Sequence, residues 1–207
     1  MQTKLFTGPM FSGKTRRFVI ELEKYVIAKR HVVLLEPACD TRGGSHGNYI
    51  AQRLEELKIT EYVHYFKIEH VDDIIKLTGK TLMKAKIEAI FIDEYHMLDF
   101  KRQFFYDYHN SPLKDIPLIF SGLISGADAV VLNAAREIIP FMDKIEKENA
   151  ICMECGNSAN YYAYIGTWKM NKRIDTGQNY KCLCHDCYME LTKKPIIYKK
   201  GVYNVNS

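Results

Sequence analysis

Residues 8–15 could bind the phosphate groups of a nucleotide. They fit the pattern G-x-x-x-x-G-K-S/T, in which a loop turns its backbone N–H groups inward around phosphate oxygens. Lys14 is expected to reach the β- and γ-phosphates, and the Thr15 hydroxyl is expected to bind Mg²⁺. A helix beginning at Thr15 would point its positive dipole end at the same anion. The candidate phosphate-binding residues are therefore Gly8, Pro9, Met10, Phe11, Ser12, Gly13, Lys14 and Thr15.

Two carboxylates follow the apolar run Ile90–Ile92. A nucleotide site of this kind needs an acid on a second strand to hold Mg²⁺, and Asp93 stands in the right place. Glu94 comes one residue later, where a base could take a proton from an attacking hydroxyl group or water. The alternative for both acids is a helix N-cap after a strand. The segment continues with Tyr95 and His96, and we interpret His96 as a local hydrogen-bonding residue.

The letters Asp-Glu-Tyr-His at residues 93–96 also spell the DExH box of helicases and translocases. Such a machine needs a second domain that closes over the nucleotide and supplies an arginine. The chain after Ile92 is too short for that domain, because a cysteine-rich segment occupies part of it. The sequence therefore disfavours a helicase.

Two Cys-x-x-Cys pairs near the C-terminus predict a metal site. Four thiolates on two such turns suit a tetrahedral zinc ion. The spacing between the pairs exceeds the usual ribbon spacing, so a long loop must be held between them. Cys182 and His185 lie close to the second pair and remain alternative ligands, whereas Cys39 stands alone as a core or loop thiol. The predicted zinc ligands are Cys152, Cys155, Cys184 and Cys187.

A polar segment follows the second predicted strand, at the edge of the sheet where ligands bind in open α/β folds. It contains Asp40, Thr41 and Arg42. Arg42 could pair with phosphate, or it could lie in a solvated turn before the glycine-rich residues 43–47. The residues alone leave both possibilities open.

Aromatic residues crowd the cysteine-rich segment. They could stack on a base, form the thin core of a small module, or make an oligomer contact. The core interpretation is favoured, because a small module needs aromatic mass to bury enough surface. The residues are Tyr161, Tyr162, Tyr164, Trp168 and Tyr180.

Alternating strands and helices would position these residues. Short apolar runs predict strands over residues 4–7, 31–35, 62–66, 89–92 and 117–120. Amphipathic spacing predicts helices over residues 15–29, 71–77 and 98–109. This alternation indicates an α/β fold, in which helices cover both faces of a parallel sheet. A change of composition near residue 150 predicts a phosphate-loop domain over 1–149, a zinc module over 150–192 and a loosely ordered tail over 193–207.

The overall composition excludes several classes of protein. Of 207 residues, 47% are hydrophobic and 26% are charged, which excludes a disordered chain, a collagen-like fibre and a disulfide miniprotein. The net charge of +4 is too weak to argue for nucleic acid as a partner. No apolar stretch approaches the roughly 18 residues of a membrane span, and no signal-peptide core precedes the phosphate loop. We therefore expect a cytoplasmic protein with reduced cysteines, and neither nucleic acid nor a membrane as partner.

The chain resembles the cytosolic-type (type II) thymidine kinase family. The resemblance covers about residues 3–192, and the ordered combination of its motifs is far more specific than the phosphate loop alone. These motifs are GPMFSGKT at 8–15, PACDTR at 37–42, the acids after Ile92, CMEC at 152–155, and Tyr180 with the cysteine pair at 184–187.

The resemblance implies a RecA-like α/β domain, a zinc-ribbon-like domain carrying a lasso-shaped substrate loop, and a homotetramer. It implies ATP as phosphate donor, the 5′-hydroxyl of thymidine as acceptor in nucleotide salvage, and Mg²⁺ and structural Zn²⁺ as ions. Glu94 would be the general base. The residues around phosphate and Mg²⁺ would be Asp40, Thr41, Arg42, Asp93, Glu94, Tyr95 and His96. The lasso residues that grip the base would be Asn171, Lys172, Arg173, Ile174, Asp175 and, further on, Tyr180.

The segment after the fifth predicted strand departs from the family pattern. The family has Leu-Asp-Gly-x-Phe there, and the Phe stacks on the thymine ring; counted from Cys152, its position is Ala127. Asp128 adds a charge nearby, His96 replaces the usual Gln, and the lasso lacks the usual Gly-Gly. The phosphate chemistry is intact, whereas the base pocket is rebuilt. Two hypotheses therefore stand beside a thymidine kinase: a relative acting on a different or modified nucleoside, and a non-catalytic nucleotide-binding protein.

Overall fold

Six parallel strands form the central sheet of the computed structural model, which describes residues 2–40, 49–166 and 179–192. The strands are β1 (Thr3–Thr7), β2 (His31–Pro37), β3 (Val63–Ile68), β4 (Ile87–Ile92), β5 (Leu118–Gly122) and β6 (Lys144–Lys147). Their order across the sheet is β3-β2-β4-β5-β1-β6, and every neighbouring pair runs parallel. The predicted parallel α/β fold is therefore confirmed.

Five helices cover the two faces of this sheet. They are α1 (Lys14–Ile27), α2 (Tyr49–Glu56), α3 (Asp72–Leu82), α4 (Gln103–His109) and α5 (Asn133–Ile138). Buried residues of α1 and α2 share one core, and those of α3, α4 and α5 share the other. Strand side chains alternate between the two cores: in β4, Ile90 and Ile92 face one and Ala89 and Phe91 face the other. Phe18 and Leu22, one helical turn apart, seat α1 on the sheet.

Several elements differ from their predicted bounds. The helix predicted over residues 98–109 begins only at Gln103, because Tyr95–Met97 form a separate 3₁₀ turn and Leu98 is extended. The helix predicted over 71–77 continues to Leu82. No prediction was made for α2, α5 or β6, and β6 reads Lys-Ile-Glu-Lys, with a single apolar residue at the sheet edge.

A small module, hereafter the cysteine module, follows the sheet and contains the two Cys-x-x-Cys pairs. It contains β7 (Ala150–Ile151), β8 (Ser158–Ala159), β9 (Tyr161–Tyr164), β10 (Tyr180–Leu183) and α6 (His185–Thr192). Its strands form two antiparallel pairs, β7 with β8 and β9 with β10. Met10, Leu123 and Ala127 pack against its core, so the module rests on the phosphate loop and on the segment after β5. The predicted division of the chain at residue 150 falls between β6 and β7 and stays a prediction. Within the described ranges, no helix has the length and apolar character needed to cross a membrane.

Candidate active site

The strand order brings the phosphate loop and the acid pair to one edge of the sheet. β5 lies between β1 and β4; Thr7 at the end of β1 is level with Gly122, and Ile92 at the end of β4 is level with Phe120. The loops after β1 and β4 therefore leave the sheet at its carboxyl edge, one on each side of β5. This edge is where ligands bind in open α/β sheets.

The phosphate loop has the backbone of an anion-binding turn. Phe11 and Gly13 adopt left-handed conformations, with φ of 61° and 83°, and α1 begins at the next residue. The Ser12 hydroxyl oxygen is buried and has no hydrogen-bond partner among the residues that the structure describes. A Cβ atom on Gly8 would collide with the Glu148 carbonyl and the Ser12 side chain. A buried polar atom left unsatisfied beside a tightly packed glycine fits a loop shaped to receive phosphate.

Lys14 is buried at the first position of α1, with 8% of its surface exposed. Among the residues that the structure describes, no carboxylate forms an ion pair with it. A buried ammonium group without a counter-ion is costly, and a bound phosphate would supply the missing negative charge. Thr15 is half-buried beside it. The arrangement suits Lys14 to an anion that enters with the substrate.

Asp93 and Glu94 are both buried at the end of β4, with 6% and 9% of their surfaces exposed. Asp93 Oδ1 accepts a hydrogen bond from the Glu94 backbone N–H at 2.9 Å. Burial raises the pKa of Asp93 to about 7, and the neighbouring Glu94 carboxylate adds to the rise. Glu94 precedes the 3₁₀ turn, but its side chain makes no capping hydrogen bond. Two adjacent buried carboxylates would be stabilised by a divalent cation, which fits a Mg²⁺ site better than a helix cap.

The backbone of Glu94 is left-handed, with φ 46° and ψ 39°. Such a conformation is strained for a residue other than glycine and is found mostly where function requires it.

His96 Nδ1 lies 3.4 Å from Glu94 Oε2 and accepts a hydrogen bond from the Leu123 N–H at 3.2 Å. The Tyr95 hydroxyl donates to the Leu123 carbonyl at 2.8 Å, so both side chains hold the segment after β5. Their contact with phosphate stays a prediction.

In the metal-free protein we expect Asp93→Asn to weaken the pH dependence of stability. Because the pKa of Asp93 is raised in the folded state, the folded state loses stability as the pH rises from about 4 through about 7. An amide cannot ionise, so the variant should lose less free energy of unfolding over that range. Denaturant unfolding without Mg²⁺ at about pH 5 and pH 8 measures the difference. Equal losses in the two proteins would contradict the expectation.

The four predicted zinc ligands form one cluster. All their sulfur atoms lie within 4.8 Å of one another, and Cys155 Sγ is 3.6 Å from Cys184 Sγ. Tetrahedral zinc with Zn–S bonds of about 2.3 Å requires sulfurs about 3.8 Å apart. Burial opposes ionisation of Cys152, but the backbone N–H groups of Cys184, Cys155 and Glu154 lower the pKa of its thiol to about 6. Hydrogen bonding with the Cys184 thiol raises the pKa of Cys187 instead, so the geometry of the four sulfur atoms, rather than ionisation, is what fits the cluster to structural zinc.

The two alternative ligands lie outside this cluster. The Cys182 thiol donates to the Met10 carbonyl at 2.6 Å, and burial raises its pKa to about 11. His185 is exposed beside the Tyr161 ring, at 5.7 Å between ring centroids. Cys182 thus joins β10 to the phosphate loop instead of turning toward the other sulfurs.

Part of the predicted site lies outside the described residues, namely Thr41, Arg42, Trp168 and the lasso residues 171–175. Asp40 lies in the turn after β2, where its N–H donates to the Pro37 carbonyl at 3.0 Å. Tyr180 is half-buried in β10, opposite Tyr164 in β9. The ring of Tyr180 packs edge-to-face on Tyr162, which has 6% exposure. The described tyrosines thus contribute to the core of the module.

Sequence reasoning missed a cavity of about 70 Å³ between the phosphate loop and the segment after β5. Lys147, Asn160 and Tyr162 line it together with Gly8 and Pro9. The first three residues stand far from the phosphate motif in the sequence, on β6 and at the start of the module. No local pattern could have placed them beside Gly8.

The family model for thymidine kinase matches residues 1–188, which is nearly the whole chain. This chain belongs to the thymidine kinase family. It is therefore a nucleoside kinase, a phosphotransferase, and the phosphate loop and acid pair of this thymidine kinase family member are the features expected of one.

The sequences of thymidine kinases from several organisms are similar to this chain over most of their length. The chain is 30% identical to the thymidine kinase of Choristoneura biennis entomopoxvirus over 198 residues, covering 92% of this chain and 97% of the relative. It is 28% identical to that of Sheeppox virus over 188 residues, covering 89% and 94%. It is 27% identical to that of Mesoplasma florum over 192 residues, covering 89% and 90%. The similarity thus extends over both the sheet and the cysteine module.

Proposed function

We propose that this protein transfers the γ-phosphate of ATP to the 5′-hydroxyl of a pyrimidine deoxynucleoside, thymidine before others, in cytoplasmic nucleotide salvage. The observation that carries the proposal is the placement of buried Lys14 and the buried pair Asp93 and Glu94 on either side of β5. This arrangement supplies a cation for the transferring phosphate, an acid for Mg²⁺ and a base for the acceptor at one edge of the sheet.

In the proposed reaction the 5′-oxygen forms a bond to the γ-phosphorus while the bond from that phosphorus to the β–γ bridging oxygen breaks. Glu94 takes the hydroxyl proton, and ADP leaves with the electron pair of the broken bond. Lys14 and the loop N–H groups hold the phosphate oxygens through the transfer. Thr15 and Asp93 would hold Mg²⁺, and the ion would supply positive charge to the β- and γ-phosphates. Asp40, Thr41, Arg42, Tyr95 and His96 would surround the triphosphate.

At the acceptor end, Asn171–Asp175 and Tyr180 would hold the nucleoside, and Ala127 stands where the family has a stacking ring. Ala127 is half-buried against the cysteine module. This small side chain leaves the base without the usual ring, which favours a second candidate function: phosphorylation of a different or modified pyrimidine nucleoside.

A panel of nucleosides tests the substrate class. With Mg·ATP, thymidine, deoxyuridine and deoxycytidine should yield 5′-monophosphates, and purine nucleosides should not. Ala127→Phe should lower the KM for thymidine by about tenfold to a hundredfold, because base–aromatic stacking is worth ~1–3 kcal/mol. Turnover of a modified pyrimidine well above thymidine would select the second candidate. No product from any nucleoside would favour a non-catalytic nucleotide-binding protein.

We propose one structural zinc ion per chain on Cys152, Cys155, Cys184 and Cys187. Cys187→Ser should remove the metal and lower the melting temperature, because the small module depends on the ion to fix its two turns. Cys39→Ser is the matched control, since Cys39 is exposed and outside the cluster. Elemental analysis and thermal melts measure both effects. Full zinc content in Cys187→Ser would overturn the proposed ligand set.

We also propose a homotetramer, as the family implies. Light scattering coupled to gel filtration should give four times the 24.1 kDa mass of the chain. A monomer at working concentration would exclude it.

A further inference from the structure

The loop between β5 and α5 (residues 123–132, hereafter the β5–α5 loop) is fastened by three tyrosine hydroxyl groups. Each hydroxyl donates to a backbone carbonyl, and the three carbonyls belong to alternate residues. The bonds run from Tyr95 to Leu123 at 2.8 Å, from Tyr162 to Ser125 at 2.8 Å and from Tyr188 to Ala127 at 2.9 Å.

The carbonyls between these three are used inside the loop. The Ile124 carbonyl accepts from the Leu132 N–H at 2.8 Å, and the Gly126 carbonyl accepts from the Ala129 N–H at 3.0 Å. The loop is thus a short hairpin, and its outward carbonyls are the ones that the tyrosines bind. Ala129 has φ of 60°, a strained conformation for a residue with a side chain. A strained hairpin needs support from its surroundings, and the tyrosine bonds provide it.

The three tyrosines come from three separate elements. Tyr95 follows Glu94 in the 3₁₀ turn, Tyr162 lies in β9, and Tyr188 lies in α6 directly after Cys187. The start of the loop is therefore hydrogen-bonded to Tyr95, the residue after the acid pair. The middle of the loop is hydrogen-bonded to Tyr162 and Tyr188 of the cysteine module. Ala127, the position of the missing stacking ring, is the point bound by Tyr188.

The hydroxyl groups are suited to act as donors. A tyrosine hydroxyl carries its proton at neutral pH, so each of the three can donate to its carbonyl.

We infer that Tyr162 and Tyr188 are positioning residues for the acceptor site: they hold the β5–α5 loop against the cysteine module, so that the folded module sets the affinity for the nucleoside. The inference rests on the proposed function, in which this loop borders the base. It extends that function because the module would act on the base site through these two hydrogen bonds, in addition to the proposed lasso.

Kinetics of Tyr162→Phe and Tyr188→Phe test the inference. Each variant keeps the ring and removes one hydrogen bond to the loop, so the KM for the nucleoside should rise roughly two- to tenfold. The KM for ATP and kcat should change less than twofold. Tyr108→Phe is the matched control, because the buried Tyr108 hydroxyl also donates to a carbonyl, that of Ile116 at 2.7 Å, which lies outside the β5–α5 loop. Tyr108→Phe should lower the melting temperature and leave the nucleoside KM unchanged.

Hydrogen exchange provides a readout that needs no turnover. Amide protons of residues 124–132 should exchange faster in Tyr162→Phe and Tyr188→Phe than in the wild type, while those of β1 should not. Tyr108→Phe should leave the 124–132 amides unchanged. The wild type could phosphorylate no nucleoside and still show these exchange differences. The proposed function would then be wrong, whereas the role of the two tyrosines in holding the loop would be supported. If exchange of the loop is unchanged, or if nucleoside and ATP KM values rise together, the inference is wrong.

Discussion

Lys14→Ala should lower the rate of phosphate transfer by at least about 10²–10³-fold. The substitution removes the buried positive charge that would contact the transferring phosphate, at a site where water cannot replace it. The affinity for ATP should also fall, because the same ammonium group binds the ground-state triphosphate. Steady-state assays with varied ATP measure both effects.

Lys24→Ala is the control for this variant. Lys24 lies on the same helix and is exposed. Its Nζ atom is 2.8 Å from Glu21 Oε2, and the two residues are not part of the phosphate loop. Its removal should leave the kinetic constants within about twofold, as for most surface changes. Activity of Lys14→Ala equal to that of Lys24→Ala would mean that residues 8–15 are not the phosphate site.

Glu94→Gln should lower kcat by ~10²–10⁴-fold while ATP binding is retained. The nucleoside 5′-hydroxyl is a weak nucleophile at neutral pH, and the amide cannot take its proton. The shape of the side chain is kept, so the left-handed turn and the neighbouring Asp93 should be little disturbed. Product formation and equilibrium binding of an ATP analogue separate the two effects.

Glu36→Gln is the matched control, because Glu36 is another buried glutamate, on the adjacent strand β2, where it accepts from the Tyr65 hydroxyl at 2.8 Å. Its substitution should alter stability and leave kcat within a few-fold. If the two variants lose turnover equally, burial of a carboxylate rather than proton transfer at Glu94 would explain the loss.

The chemistry-bearing residues were predictable where the signal is local. The phosphate motif fixes its own loop and helix start, and Asp93 follows a run of buried residues that can only be a strand. Because parallel strands end at one edge, the meeting of these two segments followed from the fold class. The choice among sulfur ligands was not local: Cys182 lies in β10 and Cys184 directly follows that strand, and only the contacts of the folded chain place Cys182 against Met10.

The elements that the sequence did not predict have weak patterns. β6 carries one apolar residue among charges, since an edge strand has little to bury, and α5 is only six residues long. The bonds from Tyr162 and Tyr188 to the β5–α5 loop join residues far apart in the chain, so no spacing rule reports them. These tertiary contacts depend on how the module docks, which neither periodicity nor motif spacing encodes.

The fate of the γ-phosphate tests the central claim most directly. The protein should be incubated with γ-labelled ATP, Mg²⁺ and thymidine, and the products separated by chromatography with 5′-monophosphate and inorganic phosphate as standards. We predict that the label appears on the 5′-oxygen of the nucleoside, in equal amount to the ADP formed, and that Lys14→Ala and Glu94→Gln slow its transfer by the factors given above. Label that remains in ATP, or that is released as inorganic phosphate at a rate independent of any pyrimidine nucleoside, would contradict the account.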